Sequence, residues 1–441
     1  METSNILIKN GTILNPKLNG EVEYSKSSVL IENNKISEIS DNIEDSNAEK
    51  IIDAKDKIIM PGLINTHTHL PMTLFRSLAD DLELDSWLND YIWPMEANLN
   101  SDYSYAGAML GAIEMIKSGT TTFTDMYFYM GDVARAVKES GIRGVLSYGM
   151  IDFGDAEKRE NEFKSNIKLI KDFNNYADGR VTTMFGPHSV YTTSPELIER
   201  VRKEADKYNV GIHIHMNETK KEIEDCIELR GKRPFEYLDE LGVLSSDILA
   251  AHCVWLSDNE IKLIKENDVK VSHNPCSNMK LASGVAPVGK LLDNDICVSL
   301  GTDGASSNNN LDLFEEMKFA ALLQKVSTLN PKVLSAEETV SMATINGAHA
   351  LGLDKDIGSI EVGKKADIIL VDTNRPNFTP LGNSLCANIV YSVNGDNVDT
   401  TICDGNILME NRKLVSLDEQ SIINNTKTAI FDLLSLKEEN N

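Results

Sequence analysis

Short apolar runs separated by polar turns fill the chain up to position 59. Positions 6–8, 28–31 and 51–53 each form such a run, and the pair Asn33-Asn34 follows the second of them. Short runs rich in isoleucine and valine and bounded by turn residues indicate β-strands. We therefore expect an N-terminal set of short strands, which ends with the apolar run 58–60 just before Pro61 and Gly62.

From position 60 to position 357, short β-rich runs alternate with longer segments of helical spacing. Positions 195–208 and 258–266 have the spacing of amphipathic helices. Apolar runs without polar alternation are typical of strands that are buried on both faces. Strands that alternate with helices form a parallel sheet, open or closed, so this region predicts an α/β fold. The β-rich runs are 141–146, 181–185, 210–215, 248–252, 269–273 and 297–301.

After position 358 the chain returns to β character. Positions 368–372, 388–391 and 401–405 have strand-like composition, and the tail from 416 to 437 has helical spacing. We expect the two β-rich ends to pair into one small sheet domain. The predicted organisation is therefore residues 1–59 and 358–441 in that domain, with the terminal helix, around a barrel of residues 60–357.

Composition narrows the class of protein. The chain has 441 residues, a length that suits one large domain with a smaller one. Hydrophobic residues make up 41% and charged residues 25%, as in ordinary soluble globular proteins. No apolar run reaches the length of about 18 residues that a membrane helix needs, and no secretory signal pattern opens the sequence. The formal net charge of −25 argues against binding to nucleic-acid polymers or anionic membranes. The six cysteines form no C-x-x-C pair, as expected of a reduced cytoplasmic protein.

Histidines concentrate at the ends of the predicted strands. In a (β/α)₈ barrel, the carboxyl ends of the strands form the active-site face. His67-Thr68-His69 places two imidazoles on the same face of one strand, because side chains alternate with a period of two. His213-Ile214-His215 repeats this spacing, and neutral imidazole is a ligand for zinc or iron. The eight histidines are His67, His69, His188, His213, His215, His252, His273 and His349.

Each of these features also has an ordinary structural explanation. An isolated H-x-H pair is compatible with two packed or surface histidines, and His213 is better explained as a satisfied histidine of the barrel core. Asp303 follows another predicted strand. It could complete a metal site that keeps a position open for water, or it could cap a turn before Gly304.

Taken together, the motifs resemble those of the amidohydrolase superfamily, in that family's order and over nearly the whole chain. The resemblance implies a (β/α)₈ TIM-type barrel with a small β-sandwich domain built from both chain ends. The motifs are IMPGLINTHTHL at 59–70, HIHMNE at 213–218, AHCVWL at 251–256, SHNPCSNMKL at 272–281, LGTDGA at 300–305 and GSIEVGKKADIILV at 358–371.

The resemblance implies a metal-dependent hydrolase. One divalent ion, zinc with iron(II) as an alternative, is expected on four ligands. Metal coordination lowers the pKa of water toward neutrality. Asp303 is also expected to accept a proton from that water, His252 to orient it, and Glu218 to carry protons to the substrate. The expected ligands are His67, His69, His215 and Asp303.

Within the superfamily, the chain is similar to the methylthioadenosine/S-adenosylhomocysteine deaminases. The segments WLNDYIWPME at 87–96 and GPHS at 186–189 carry this similarity. It implies a small nucleoside substrate, whose ribose hydroxyls bind Glu96 and whose purine or sugar edge contacts His188. Arg159 is expected to contact the 5′-substituent. Where the family would place a second arginine this chain has Tyr148, which favours neutral 5′-groups over the homocysteine carboxylate.

Three alternatives to nucleoside deamination share these motifs in whole or in part. A guanine deaminase or a chloro-aromatic hydrolase would use the same metal ligands but would not need Glu96 for a ribose. A barrel that had lost catalysis and served as an assembly partner would be expected to have lost ligands, and all four are present. A homo-oligomer is compatible with the sequence.

Overall fold

The N-terminal strands belong to two different sheets. A computed structural model describes residues 5–18, 20–82 and 86–439. Four strands form one sheet in the order β5-β4-β1-β6, and the other three belong to a second sheet. The strands are β1 (Ile6–Lys9), β2 (Thr12–Pro16), β3 (Val22–Ser25), β4 (Ser28–Glu32), β5 (Lys35–Ser40), β6 (Lys50–Asp53) and β7 (Lys57–Pro61).

The central part of the chain forms an eight-stranded parallel sheet in which each strand pairs with the next along the sequence. Helices lie between the strands, so the predicted (β/α)₈ barrel is confirmed. The strands are β8 (Leu63–Thr68), β9 (Thr120–Tyr127), β10 (Arg143–Met150), β11 (Val181–Pro187), β12 (Ile212–Met216), β13 (Ile248–His252), β14 (Lys270–His273) and β15 (Val298–Leu300).

The helices of this region vary in length from one turn to five. They are α1 (Trp93–Glu96), α2 (Ser101–Lys117), α3 (Met130–Ser140), α4 (Ala156–Phe173), α5 (Pro195–Tyr208), α6 (Lys220–Arg230), α7 (Pro234–Glu240), α8 (Asp258–Glu266), α9 (Pro275–Lys280), α10 (Val288–Asp293), α11 (Ala305–Asn308), α12 (Leu313–Thr328), α13 (Ala336–Met342) and α14 (Ile345–Ala350).

Side chains of β8 bridge the seam between the first and last barrel strands. The Thr66 hydroxyl donates to the Leu300 carbonyl at 2.9 Å, and the Asn65 amide donates to the Thr302 hydroxyl at 2.7 Å. Beyond the strand end, the N–H of Asp303 donates to the His67 carbonyl at 2.9 Å. This seam brings the first and last candidate metal ligands together, although they are 236 positions apart in the sequence.

The C-terminal strands complete a sheet that the N-terminal strands begin. The seven-stranded sheet has the order β19-β18-β17-β16-β7-β2-β3, so both chain ends contribute to it, as expected. A separate apolar cluster joins its inner face to the four-stranded sheet through residues such as Ile8, Ile31 and Leu370. The new strands are β16 (Ile368–Asp372), β17 (Val398–Cys403), β18 (Asn406–Glu410) and β19 (Lys413–Leu414).

One predicted strand is wrong. Positions 388–391 belong to helix α15 (Leu385–Tyr391). The buried residues Cys386, Ile389 and Val390 have the i, i+3, i+4 spacing of a helix face. The Ser384 side chain accepts from the N–H of Ala387 and so caps the helix. The terminal helix predicted at 416–437 is confirmed as α16 (Glu419–Glu439).

Candidate metal centre

Three imidazoles and one carboxylate converge at the carboxyl ends of the barrel strands. The Asp303 Oδ1 atom lies 3.4 Å from Nε2 of His67 and 3.2 Å from Nε2 of His69. The Nε2 atom of His215 lies 3.4 Å from that of His69. The structure therefore brings together the four residues that the sequence predicts as ligands.

The outer nitrogen of each of these histidines has its own partner. His69 Nδ1 donates to the Met126 carbonyl at 2.5 Å, and His215 Nδ1 donates to the His188 carbonyl at 2.7 Å. His67 Nδ1 lies 2.8 Å from Nε2 of His213. Such contacts fix the ring orientation and keep the proton on Nδ1, which leaves the Nε2 lone pair directed at the centre.

The residue His213 supports this arrangement from within the barrel. Its Nε2 atom accepts from His67, and its Nδ1 atom lies 3.4 Å from the Ser147 hydroxyl. Ser147 in turn donates to the Asp125 carbonyl at 2.9 Å. His213 is therefore a satisfied core histidine, in agreement with its interpretation from the sequence, and not one of the converging nitrogens.

Two serines hold the second oxygen of Asp303. The hydroxyls of Ser277 and Ser307 donate to Oδ2 at 2.6 and 2.9 Å. Asp303 itself has a left-handed backbone, with φ of 61°. Neither serine is predicted from the sequence as part of the site, although Ser277 lies in the SHNPCSNMKL motif. These contacts leave Oδ1 as the oxygen that faces the Nε2 atoms of His67 and His69.

The arrangement fits a divalent cation. Nε2 of His67 is buried and has no hydrogen-bond partner, although an unpaired buried nitrogen is normally avoided. Ligand atoms of His67, His69 and Asp303, and separately of His67, His215 and His252, lie within 4.8 Å of one another. A set of imidazoles with one carboxylate is the donor chemistry of catalytic zinc.

Ionisation of the isolated side chains agrees with this chemistry. Burial lowers the pKa of His67 to about 4 and holds that of His215 well below its usual value. Burial opposes ionisation of Asp303, but hydrogen bonds from His67 and His69 keep its pKa well below the usual value. The site therefore offers an ionised carboxylate beside the neutral imidazoles of His67 and His215. Burial opposes ionisation of His69, but its hydrogen bond to Asp303 raises its pKa to about 9, so this ring must release a proton when a metal binds.

His252 and Glu218 face each other beside the ligands. His252 Nε2 lies 3.7 Å from Glu218 Oε2. The amides of Asn278 and Asn274 donate to His252 Nδ1 at 3.0 and 3.3 Å, which places the ring proton on Nε2. Burial raises the pKa of Glu218. A carboxyl group with a raised pKa is suited to taking up and releasing protons near neutral pH.

A cleft opens above this centre. Trp87, Trp93, Tyr127 and Phe128 contribute aromatic rings to its walls. Glu96 also faces the cleft, and the Tyr127 hydroxyl donates to its Oε1 atom at 2.6 Å. The polar residues lining the cleft are His69, Glu96, His188, His215, Glu218, His252, Asp303 and Ser307.

His188 is tied to the centre by its own backbone. Its carbonyl accepts from the candidate ligand His215, and its Nδ1 atom lies 3.0 Å from the Thr192 hydroxyl. Burial lowers the pKa of His188 to about 3, so the ring is neutral. The residue is positioned to offer a neutral nitrogen to a ligand in the cleft.

Arg159 is not brought to the cleft. Its guanidinium donates to the buried Asp152 at 3.0 Å and lies 4.0 Å from Glu196. Asp152 also accepts from the backbone N–H of Ser194 at 2.7 Å. The predicted contact between Arg159 and substrate therefore lacks support, because the guanidinium is already held by a loop between β10 and α4.

Tyr148 lines a second cavity, which adjoins the first. The two share Trp93, Glu96, Phe128 and Ile151 as common walls. Phe153 and Phe173 add further aromatic surface, and Lys158 and Lys168 add two ammonium groups, but no guanidinium lines this cavity among the described residues. In the part of the chain that the structure describes, no helix combines the length and hydrophobicity needed to span a bilayer.

Comparison with known proteins agrees with this geometry. The model of the amidohydrolase family matches residues 58–408. The chain is 64% identical over 433 residues to a 5′-deoxyadenosine deaminase of Methanobrevibacter smithii, which covers 98% of this chain and 99% of the relative. It is 51% identical over 404 residues to a 5-methylthioadenosine/S-adenosylhomocysteine deaminase of Thermococcus sibiricus, over 92% of this chain and 94% of the relative. A zinc-bound adenosine deaminase structure from Xanthomonas campestris has a TM-score of 0.91 at 32% identity, over 98% of both chains.

Proposed function

The chain belongs to the amidohydrolase family, and we propose that it hydrolyses the 6-amino group of adenosine-type nucleosides, with 5′-deoxyadenosine as its main substrate. The reaction consumes water and yields the inosine-type product and ammonia. The observation that carries the proposal is that Glu96, a carboxylate able to bind a ribose, lines the same cleft as the proposed metal ligands His69, His215 and Asp303.

The proposed metal ligands are His67, His69, His215 and Asp303, and we propose that they hold one divalent ion, zinc. When bound, the metal supplies the acidity that activates the attacking water. The zinc bound in the structural relative from Xanthomonas campestris supports zinc. Iron(II) is the alternative that the same donor set accepts.

The remaining chemistry belongs to the side chains. Asp303 Oδ1 accepts the proton of the attacking water, and the Nε2–H of His252 orients that water against C6 of the purine. Glu218 donates a proton to N1 of the ring, then takes the proton of the new C6 hydroxyl and passes it to the amino group, which leaves as ammonia as the carbonyl forms. The proton that Asp303 holds returns to Glu218 and completes the cycle. The 3.7 Å between Glu218 and His252 allows both groups to act on the same ring edge.

Recognition of the sugar distinguishes this proposal from the deamination of a free base. A carboxylate accepts hydrogen bonds from two neighbouring hydroxyls, and Glu96 is held for this by Tyr127. His188 offers its neutral ring to the purine N3 or to the sugar edge. A guanine deaminase or a chloro-aromatic hydrolase would have no ribose for Glu96 to bind.

The test compares substrates with and without ribose hydroxyls. Glu96→Ala should lower kcat/KM for adenosine and 5′-deoxyadenosine by about tenfold or more, because a hydrogen bond to a charged group contributes roughly 1.5–3 kcal/mol. The same substitution should have little effect on 2′,3′-dideoxyadenosine. Ammonia release by purified, zinc-loaded enzyme measures both. Equal losses on the two substrates would refute the ribose contact and favour a free-base substrate.

Selectivity for the 5′-group follows from Tyr148. The second cavity offers an aromatic wall where paired arginines would hold a carboxylate. Its two lysines have other partners, because Lys168 pairs with Asp172 and Lys158 lies over the Phe153 ring. S-adenosylhomocysteine should therefore have a lower kcat/KM than methylthioadenosine or 5′-deoxyadenosine, and Tyr148→Arg should narrow the difference. A wild-type preference for S-adenosylhomocysteine would show that another group binds its carboxylate.

A further inference from the structure

A buried carboxylate lies behind Glu218 and takes no part in the proposed chemistry. Glu222 is 4% exposed. Its Oε1 atom accepts from the backbone N–H of Asn217 at 3.2 Å, and its Oε2 atom accepts from the backbone N–H of Glu218 at 2.7 Å. One carboxylate thus satisfies two successive peptide groups, the second of which belongs to the proposed proton carrier.

The turn between β12 and α6 needs such a partner. Asn217 has a left-handed backbone, with φ of 54°, and a turn of this kind directs consecutive N–H groups to one side, where they favour an anion. Glu222 lies in the first turn of α6, and its own N–H donates to the side chain of the N-cap residue Thr219 at 3.1 Å. The carboxylate is therefore fixed by the helix that carries it.

The same turn is joined to the loop that follows His252. The Asn217 amide donates to the Trp255 carbonyl at 3.1 Å and to buried Glu260 at 2.9 Å. The Asn217 carbonyl accepts from the N–H groups of Val254 and Trp255 at 3.0 and 2.9 Å. The backbones that carry Glu218 and His252 consequently form one hydrogen-bonded unit.

We propose that Glu222 is a positioning residue for proton transfer: its hold on the Glu218 backbone keeps the Glu218 carboxylate beside His252 and above the metal ligands. Its role is distinct from metal binding, because its hydrogen bonds join Asn217, Glu218 and Thr219 and none of them reaches a proposed ligand in the described part of the chain. The inference rests on the proposed function, since it assigns Glu222 to the reaction step that Glu218 performs.

Glu222→Gln tests the role with little change of shape. Glutamine keeps one acceptor oxygen but turns an NH₂ group toward a backbone N–H, so one of the two contacts is lost. We expect kcat for 5′-deoxyadenosine to fall about ten- to hundredfold, as expected when a catalytic group is displaced by about 1 Å. Zinc content and KM should stay at the wild-type level.

A second substrate separates proton delivery from general damage. The 6-chloro analogue of the same nucleoside loses chloride, which leaves as an anion and needs no proton. The 6-amino group, in contrast, leaves as ammonia only after its nitrogen has been protonated. Glu222→Gln should therefore lower kcat much more for the 6-amino than for the 6-chloro substrate. Glu218→Gln should also lower the ratio of kcat for the 6-amino substrate to kcat for the 6-chloro substrate, and it serves as the reference variant. Glu224→Gln, on the exposed side of α6, is the matched control and should change neither rate.

The outcomes distinguish the positioning role of Glu222 from the proton-transfer role of Glu218. If Glu218→Gln shifts the ratio and Glu222→Gln leaves kcat unchanged, or lowers both substrates equally, the positioning role is wrong. If Glu218→Gln itself has no effect on the ratio, the proposed role of Glu218 fails and the inference with it. Should Glu222→Gln not fold, Glu222→Asp keeps the charge but shortens its reach. That variant should give a smaller shift of the same ratio, and an unshifted ratio in the folded Asp variant also overturns the proposal.

Discussion

At the residue scale, the metal centre is assembled from side chains whose outer atoms are already bonded. His67 donates to His213, and the Asp303 Oδ2 atom is held by two serine hydroxyls. The atoms that remain for a cation are therefore fixed before it arrives. Preorganised ligands lose little freedom on binding, which favours a tightly held ion.

His67→Ala should remove one ligand and lower the bound zinc, because the remaining two imidazoles and one carboxylate form an incomplete site. Turnover should fall with metal content. Mass spectrometry of the purified protein measures zinc directly. His349→Ala provides the control, since His349 lies outside the cleft beside Asp354. Full zinc occupancy and undiminished activity in His67→Ala would remove His67 from the metal site.

Glu96 should give the enzyme a pH dependence that involves the sugar. Burial raises the pKa of Glu96 to about 7, and the hydrogen bond from Tyr127 opposes this rise. Below pH 7 the protonated group is a poorer acceptor, so kcat/KM for ribonucleosides should increase as the pH rises through about 7. The pH profile of dideoxy substrates should lack this rise, because they have no hydroxyls to bind Glu96. Any pH dependence due to Glu218 should appear with both ribonucleoside and dideoxy substrates.

Tyr127→Phe should move that midpoint. Loss of the hydroxyl removes an interaction that lowers the pKa of Glu96, so this rise in kcat/KM should shift to higher pH, and KM should increase more than kcat falls. Tyr129→Phe is the matched control, because it loses a hydroxyl that donates instead to the Leu99 carbonyl. A pH profile identical to that of the wild type would mean that Tyr127 does not act on Glu96.

At the element scale, the loop between β10 and α4 is held by a single buried carboxylate. Asp152 accepts from Arg159, from the backbone of Gly154 at 3.2 Å and from Ser194, the cap of α5. These hydrogen bonds outweigh burial and lower the pKa of Asp152. This contribution to stability is therefore present at neutral pH and is lost as the pH falls through the lowered pKa of the folded state.

Arg159→Ala should act on stability and leave substrate selectivity unchanged. A hydrogen bond to a charged group contributes about 1.5–3 kcal/mol, so the free energy of unfolding should fall by about that amount. The ratio of kcat/KM for S-adenosylhomocysteine and methylthioadenosine should stay constant. Arg200→Ala, which breaks a more exposed pair with Glu160, is the control for denaturation. A selective loss on S-adenosylhomocysteine would restore Arg159 to the substrate site.

The elements that could be predicted are those whose sequence pattern has one physical explanation. Positions 195–208 and 258–266 form α5 and α8, because each has a cap, Ser194 or Ser257, before an amphipathic run. Strand β9 is not among the predicted strands, since its threonines resemble a polar loop although all are buried. Tyr127 lies at its end and was missed with it. The partner of Arg159 depends on a tertiary contact that no local pattern indicates.

At the scale of the whole molecule, a buried ion cluster joins the barrel to the terminal sheet. Arg143, in β10, donates to Asp367 at 3.1 and 3.2 Å and to Asp404 at 3.3 Å. All three side chains are at most 8% exposed. The two carboxylates come from the C-terminal part of the chain, so the cluster fixes how the two parts pack.

Arg143→Ala should leave the buried Asp367 without its cation and Asp404 with Lys365 alone, at 3.6 Å. Breaking a buried ion pair from one side costs about 3–5 kcal/mol, and denaturant unfolding should show a loss of that order. Arg135→Ala removes an exposed pair with Asp132 and should cost about 1 kcal/mol or less. Equal effects of the two substitutions would contradict the role assigned to the cluster.

The position of β7 determines the order in which the protein can fold during its synthesis. Ile59 in β7 pairs with Ile13 on one side and with Leu370 on the other. The ribosome releases every barrel strand before it releases β16. At about 5–20 residues per second, the interval between the synthesis of β7 and that of β16 lasts roughly 15–60 s. During that time the edge of β7 that pairs with β16 in the finished protein has no partner strand, whereas all the strands of the barrel become available before the interval ends. A chain that terminates before Ile368 keeps the edge permanently, and such edges promote aggregation.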